Sequence, residues 1–386
     1  MQEHAAAQRS SPYYTPEHEA FRDTVRRFVL KEIEPFATEW DEAGEFPREL
    51  YRKAAGIGLL QLRFPEEYGG IKADRFYRII AGQELARAGS GGISASLNSH
   101  TIGAPPIARF GSEAMKRRVL PPILAGEKIS ALAITEPSAG SDVASIKTTA
   151  RRDGDHYVVC GEKTFITSGM RADFCSVAVR TGGPGMGGIS LLLIERDTPG
   201  LTRTLLKKMG WWASDTATLH FDDCRVPVEN LIGPENGGFK VIMANFNDER
   251  LGMAAGANGF ARVAFEEALG YARLRSTFGE RLIKRQVIRH KLVDMLQRVE
   301  ATQAMIELTA WRLDRGDHAV PDLCMLKNQA TQTLAFCASE AVQIFGGAGF
   351  MRGCKVERIY REVKVNAIGG GAEEIMKDLA ARQLGW

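Results

Sequence analysis

The chain has 386 residues, 44% of them apolar and 25% charged, with a formal net charge of +3. That length is enough for two or three domains around a large core, and so mild and evenly spread a balance argues against nucleic acid or a membrane surface as partner. Six cysteines lie scattered with no CxxC pair, so neither a zinc site nor a redox dithiol is indicated, no metal is expected, and the usage fits a reduced intracellular compartment. No apolar run approaches the roughly 20 residues that span a bilayer. The opening MQEHAAAQRSSPYYTPEHEAF lacks the apolar core of a signal peptide. The expectation is a soluble, cytoplasmic protein with a loose tail over 1–13.

Helical patterning dominates the first third. Phe21, Val25, Phe28, Val29 and Ile33 recur at helical spacing with charges between them, and Pro35 closes that helix. Further helices are predicted over 47–56, 73–88, 96–110 and 112–125, punctuated by YGG, APP and LPP. Near 129 the period changes. ISALAIT, HYVVCGEKTFIT, DFCSVAVR, GISLLLIE and TATLHF are short runs rich in β-branched or aromatic residues, separated by turn clusters such as Asp153-Gly154 and TGGPGMGG. Such spacing, with no helices between, predicts an antiparallel barrel or sandwich. TGGPGMGG has no GK[ST] after it, so it reads as a flexible hairpin tip and not as a phosphate loop.

From about 237 the helical period returns. Residues 238–275, 281–315 and 321–346 each read as one long helix, the second with a stripe of Ile288, Leu292, Met295, Leu296, Val299 and Ile306. With a shorter terminal helix they predict a four-helix bundle. The expected fold is therefore α+β and multidomain: an N-terminal helical domain over 14–128, a middle antiparallel β barrel or sandwich over 129–236, and a C-terminal four-helix bundle over 237–386.

Four segments follow one another at set distances. They are AITEPSAGSDVASIKTTA (133–150) with GEKTFITSG (161–169), MGWWASDTATLHFDDCRVPVENLIG (209–233), YARLRSTFGERLIKRQVI (271–288), and AVQIFGGAGF (341–350) leading to YREVKVNAIGGGAEEIM. Together they resemble the acyl-CoA dehydrogenase family over nearly the whole chain, from about 14 to 384. The resemblance implies an FAD enzyme that converts an acyl-CoA to the trans-2-enoyl-CoA and passes electrons to electron-transfer flavoprotein. It implies a homotetramer built as a dimer of dimers.

A proton next to a thioester carbonyl is weakly acidic. Its removal needs a hydrogen bond to the carbonyl oxygen and a carboxylate in a dry site. In most of the family that base sits in a terminal motif ending Glu-Gly-Thr, where this chain has Gly370-Gly371-Ala372. Glu373 and Glu374 come three and four residues too late to inherit the role. In the branch that includes isovaleryl-, long-chain- and citronellyl-CoA dehydrogenases the base stands on the first long C-terminal helix, just before an arginine. The matching residue in FNDERLGMAAGANG (246–259) is Glu249, and a glycine at 370 would leave room for its side chain. The bland alternative is a helix-surface glutamate paired with Arg250.

Other residues take roles from the same resemblance. Thr135 and Thr167 match positions at the flavin edge, Ile134 and Ile166 line the ring, and Phe165 stands where a tryptophan is common. Ser141 matches a contact of both the cofactor region and the acyl-CoA. Arg250, Gly370 and Gly371 match substrate contacts, the carbonyl being held by an amide near Gly370 and Gly371 or by the Glu249 N–H. Arg275, Thr277, Phe278, Gln286, Gln343, Gly347 and Glu374 match residues on the diphosphate and adenosine of FAD, largely contributed by a neighbouring subunit. His100 tempts as an acid–base group, although a packing histidine is the commoner outcome. Ala254, Ala255 and Gly256, small residues near the base, would widen the pocket for a branched or a medium to long acyl chain. The competing readings are an acyl-CoA oxidase, a flavin monooxygenase-like relative, and a non-catalytic FAD-binding scaffold.

Overall fold

The computed structural model describes residues 11–317 and 319–386, Asn247 by its backbone alone. Among the described residues eight α-helices build the N-terminal part: α1 (Pro16–Glu32), α2 (Ala37–Ala43), α3 (Glu49–Gly56), α4 (Arg75–Leu85), α5 (Gly91–Leu97), α6 (His100–Gly103), α7 (Pro105–Phe110) and α8 (Glu113–Leu124). Thr15 caps α1 by accepting the His18 N–H. The single helix expected over 96–110 is three short ones. Pro105 and Pro106 have no N–H to donate to the preceding turn, so α7 restarts there. Of the expected loose tail, residues 1–10 lie outside the described residues. Residues 11–13 are docked: Ser11 Oγ donates to Glu307 at 3.0 Å, and Tyr13 stacks on Phe76.

The middle segment is one curled, seven-stranded sheet. Its strands are β1 (Ser130–Ala133), β2 (Thr149–Asp153), β3 (His156–Thr167), β4 (Phe174–Arg180), β5 (Ile189–Glu195), β6 (Leu201–Leu205) and β7 (Thr216–Pro227), in the order β1-β4-β2-β3-β7-β6 with β5 on β4. Most pairings are antiparallel as expected. The β1–β4 pairing and the single β2–β4 pair are parallel, because the chain makes long returns between those strands and not hairpins. β3 and β7 pair over most of their length, with register shifts between Val159 and Gly161 and between Lys163 and Ile166. The second irregularity carries Phe165 at φ +60, and it turns that ring out of the sheet. The glycine-rich tip after β4 is organised by Arg180, whose guanidinium donates to the carbonyls of Gly183, Gly185, Ala144 and Ile146.

The C-terminal part holds α9 (Gly238–Leu274), a small hairpin of β8 (Ser276–Thr277) and β9 (Glu280–Arg281), then α10 (Gln286–Asp314), α11 (Val320–Phe345), α12 (Lys355–Ile368) and α13 (Glu373–Gln383). The expected terminal helix is two, broken at Gly369–Ala372, where Gly370 and Gly371 take φ +65 and +109. The second long helix starts at Gln286 because the hairpin occupies 276–281. α4 lies close against α9, and a Cβ added at Gly82 would be 3.5 Å from the Gly256 backbone nitrogen. Among the described residues no helix is long and apolar enough to cross a membrane.

Candidate active site

A cavity of about 1320 Å³ opens where the three parts meet. It is lined by Ile134, Thr135 and Ser141 after β1, by Phe165, Ile166 and Thr167 at the end of β3, by Glu249 and Arg250 on α9, and by Gly370 and Gly371 between α12 and α13. Ten of the residues singled out in the sequence thus share one space although 237 positions separate the first from the last.

Glu249 lies on the cavity side of α9. Among the described residues its Oε2 is buried without a hydrogen-bond partner. Burial raises its carboxyl above the ordinary range, against the opposing pull of Arg78 and Arg250. Its N–H lies inside α9 and belongs to the helix ladder, so the expectation that this amide could hold a ligand carbonyl is corrected. At the terminal loop, neither the Gly370 nor the Gly371 N–H has a backbone acceptor among the described residues. Those two amides are available to a ligand.

Gly370 is not left bare for Glu249. A Cβ there would meet the Met253 sulfur at 2.5 Å, and no Glu249 atom stands within 4 Å. Met253 is one helical turn beyond Glu249, on the same face, and it fills the space assigned to the carboxylate. The loop is also tied from behind. Lys327 Nζ donates to the carbonyls of Ala367 (3.1 Å) and Gly371 (2.7 Å), Asn328 Nδ2 donates to Glu373 O at 2.9 Å, and Arg250 Nε reaches Gly370 O at 3.5 Å. Burial lowers Lys327 to about 8.

The opposite wall is held by a buried pair. Lys163 Nζ donates to Ile134 O (2.9 Å) and Glu136 Oε1 (2.7 Å), while Glu136 accepts the Lys147 and Thr148 N–H groups. This fixes the chain beside Thr135. The hydroxyls of Thr135 and Thr167 make no hydrogen bond among the described residues, and both face the cavity. Glu362 joins all three parts, accepting from Gly91 N–H (2.7 Å) and Trp211 N–H (3.0 Å). Burial pushes its carboxyl up to about 7.

His100 lines the cavity with its ring against the Leu97 carbonyl. Burial, with Arg78 beside it, lowers it to about 4, so it is neutral near pH 7 and packs as a helix histidine. Ala254 and Ala255 are fully buried in the helical core and do not line the cavity, contrary to expectation, whereas Gly256 does. The seven residues matched to the FAD diphosphate and adenosine do not line it either. Arg275, Thr277, Phe278 and Gln286 surround the small hairpin, with Phe278 fully exposed at its tip. Gln343 and Gly347 flank Phe345, which stacks on Tyr271 at 4.2 Å. Glu374 is exposed on α13. Arg275 is 26 residues along α9 from Glu249, about 39 Å at helical rise, so the cluster of Arg275, Thr277, Phe278, Gln286, Gln343 and Gly347 stands far from the cavity of its own chain, whereas Glu374 lies between Ala372 and Ile375, which line it.

Sequence reasoning passed over Met253, Lys327, Arg78 and the Lys163–Glu136 pair. Helical spacing held a signal for two of them: Met253 follows Glu249 by four, and Lys327 lies in the buried stripe Leu323, Ala330, Leu334 of α11.

Three family profiles match the chain: "Acyl-CoA dehydrogenase, N-terminal domain" over 15–127, "middle domain" over 131–224 and "C-terminal domain" over 236–385. An acyl-CoA dehydrogenase of Bacillus subtilis is 38% identical over 96% of this chain and 99% of its own length. The mitochondrial long-chain specific acyl-CoA dehydrogenase of Mus musculus is 36% identical over 96% of this chain and 87% of its own. Among solved structures, an acyl-CoA dehydrogenase from Geobacillus kaustophilus superposes with a TM-score of 0.94 at 38% identity, covering 98% of this chain and 100% of that one.

Proposed function

Since the chain belongs to the acyl-CoA dehydrogenase family of FAD-dependent enzymes, we propose that it dehydrogenates a branched or a medium to long acyl-CoA to the trans-2-enoyl-CoA with Glu249 as base. The observation that carries this is Glu249 Oε2, buried beside the cavity with no hydrogen-bond partner among the described residues. Catalysis by proton removal from carbon needs a carboxylate in such a dry setting.

The cavity fits the flavin. Ile134, Ile166 and Phe165 offer an apolar wall, two threonine hydroxyls lack partners, and the buried Trp211 Nε1 has none among the described residues. FAD supplies the acceptor for the hydride that leaves the β carbon. The chain's own residues do the rest. The Gly370 or Gly371 N–H holds the thioester oxygen, where negative charge develops as the α proton leaves. Lys327 and Arg250 hold those amides in place by binding the loop's carbonyls. Glu249 takes the α proton. Thr135 and Thr167 would hydrogen-bond the flavin edge, Ser141 would contact the acyl-CoA, Glu374 would stand near the adenine and ribose side of FAD, and the second cluster around Arg275, Thr277, Phe278, Gln286, Gln343 and Gly347 would serve the FAD of a neighbouring subunit in a homotetramer. Electron-transfer flavoprotein is the acceptor in this reading. The three parts correspond to domains at 14–128, 129–236 and 237–386.

The test is an anaerobic spectral titration of the purified yellow protein with butyryl-, isovaleryl-, octanoyl-, palmitoyl- and citronellyl-CoA. Bleaching by the longer or branched thioesters supports the reading. Bleaching by butyryl-CoA alone overturns the substrate class, and no bleaching by any of them overturns the dehydrogenase reading.

A further inference from the structure

On the helix packed against that of Glu249 stands an arginine to which the proposed chemistry gives no part. Arg78 of α4 lines the cavity, and it makes no hydrogen bond or ion pair within 4 Å among the described residues. Its place is fixed by Gly252 of α9: a Cβ there would lie 3.3 Å from Arg78 Nε and 3.6 Å from Nη2. Gly252 is three residues beyond Glu249, on the same face of the helix. The missing side chain lets the guanidinium lie against α9 within one turn of the carboxylate.

The neighbouring charges explain why Arg78 is left over. Asp248, next in sequence to Glu249, is shared by three other arginines: Arg75 at 3.1 Å, Arg109 at 3.0 Å and Arg63 at 3.7 Å. Arg75 is further bound to Asp314. Of the two carboxylates whose charge acts on Arg78, Asp248 and Glu249, Glu249 is the one with a buried oxygen that has no hydrogen-bond partner among the described residues. An arginine of α4 and a glutamate of α9 thus line the same cavity, with the guanidinium lying against α9 about one helical turn from Glu249. A direct ion pair would tie up the carboxylate that must move a proton. A cation close by but out of bonding distance lowers the energy of the ionised form and leaves its oxygens open.

We propose that Arg78 is a positioning residue that supplies the counter-charge to the Glu249 carboxylate and keeps it ionised within the cavity. This rests on the reading of Glu249 as the base, and it concerns the charge state of that group in the free enzyme. The other groups around Glu249 do not replace Arg78. From α9 itself come Arg250, whose charge also favours the ionised carboxylate but less than that of Arg78 and whose Nε is directed to the Gly370 carbonyl, and Asp248, which is already neutralised. From α6 comes His100, which is neutral. From α7 and the segment before α4 come Arg109 and Arg63, both engaged with Asp248. Lys327 of α11 is spent on the carbonyls of Ala367 and Gly371, and the terminal loop brings only glycines and Ala372.

The test compares wild type with Arg78→Met, Arg78→Gln and Arg78→Lys by infrared difference spectroscopy, each against its own Glu249→Gln partner, so that the titrating carboxyl band is that of Glu249. The pH dependence of flavin reduction by an acyl-CoA is recorded in parallel. Arg78→Met and Arg78→Gln are expected to move the Glu249 midpoint, and the acid limb of the rate with it, up by about one pH unit or more. Arg78→Lys is expected to stay within a few tenths, and the rate on the alkaline plateau within a few-fold of wild type. An unmoved infrared midpoint in the neutral variants overturns the proposal. A change confined to the KM for acyl chains bearing a polar tail overturns it too, and makes Arg78 a contact of the acyl group. Undiminished flavin reduction by Glu249→Gln would instead remove the base reading, while the infrared midpoint would still report on Arg78.

Discussion

Met253 packs against the bare backbone of Gly370, its sulfur standing 2.5 Å from where a Cβ would be. The two residues belong to facing elements, α9 and the α12–α13 turn, and their contact sets how near the glycine loop comes to Glu249. Gly370→Ala is expected to cost about 1–3 kcal/mol, from its left-handed backbone and from this clash. Met253→Ala should recover part of that loss in the double variant, since contacting sites are not additive. Chemical denaturation of the four proteins checks it. Strict additivity would mean that the contact does not shape the loop.

Lys163→Met should destabilise the protein by about 3–5 kcal/mol, because Glu136 would be left as an unpaired buried charge. Purified protein should also retain less FAD, since the chain at Ile134 and Thr135 loses its anchor. The double variant Lys163→Met with Glu136→Gln should recover much of the stability. Flavin content and denaturation midpoints measure both effects, and full FAD retention in the single variant would contradict the positioning role.

Glu362 gives a pH dependence of definite sign. Its carboxyl is raised by burial from the ordinary 4.5 to about 7, so the folded state holds a proton that the unfolded chain releases. The associated stability is fully present below about pH 4.5 and is lost as pH rises through about 7, with a ceiling of about 3 kcal/mol. Unfolding free energy followed from pH 5 to 8 should fall more steeply in wild type than in Glu362→Gln, which cannot ionise. Parallel slopes would show that Glu362 does not titrate in this window.

Lys327→Met orphans the carbonyls of Ala367 and Gly371. A loss of about 1–3 kcal/mol is expected, with weaker acyl-CoA binding from a loosened glycine loop. Isothermal titration with a non-reactive acyl-CoA analogue reads the second effect. Unaltered affinity would mean that the loop keeps its shape without the lysine.

Much of this architecture was legible because long amphipathic periods survive any local detail. α9, α10 and α11 follow their stripes to within a few residues, apart from the hairpin that delays α10. The strands β2 and β6 escaped notice because TARRD and LTRTL are polar and largely exposed; a strand with one wet face and few apolar residues leaves little pattern. The break of the terminal helix was written in Gly369–Gly371, but its reason was not. The sequence pointed to Glu249 as the group that needs room, and the structure puts Met253 there. Partners of that kind depend on which faces meet across 117 residues of chain, as Met253 and Gly370 do. The same holds for Arg78, which the close packing of α4 on α9 at Gly252 brings within a turn of the base.

The account stands or falls on Glu249, and one measurement addresses it directly. FAD-loaded wild type and Glu249→Gln are mixed anaerobically with an acyl-CoA that bleaches the wild type, and the flavin absorbance is followed in a single turnover. The variant should bind FAD and thioester as wild type does yet reduce the flavin slower by a factor of about 100 or more. Reduction at a rate close to wild type would show that another group removes the proton and that Glu249 is not the base.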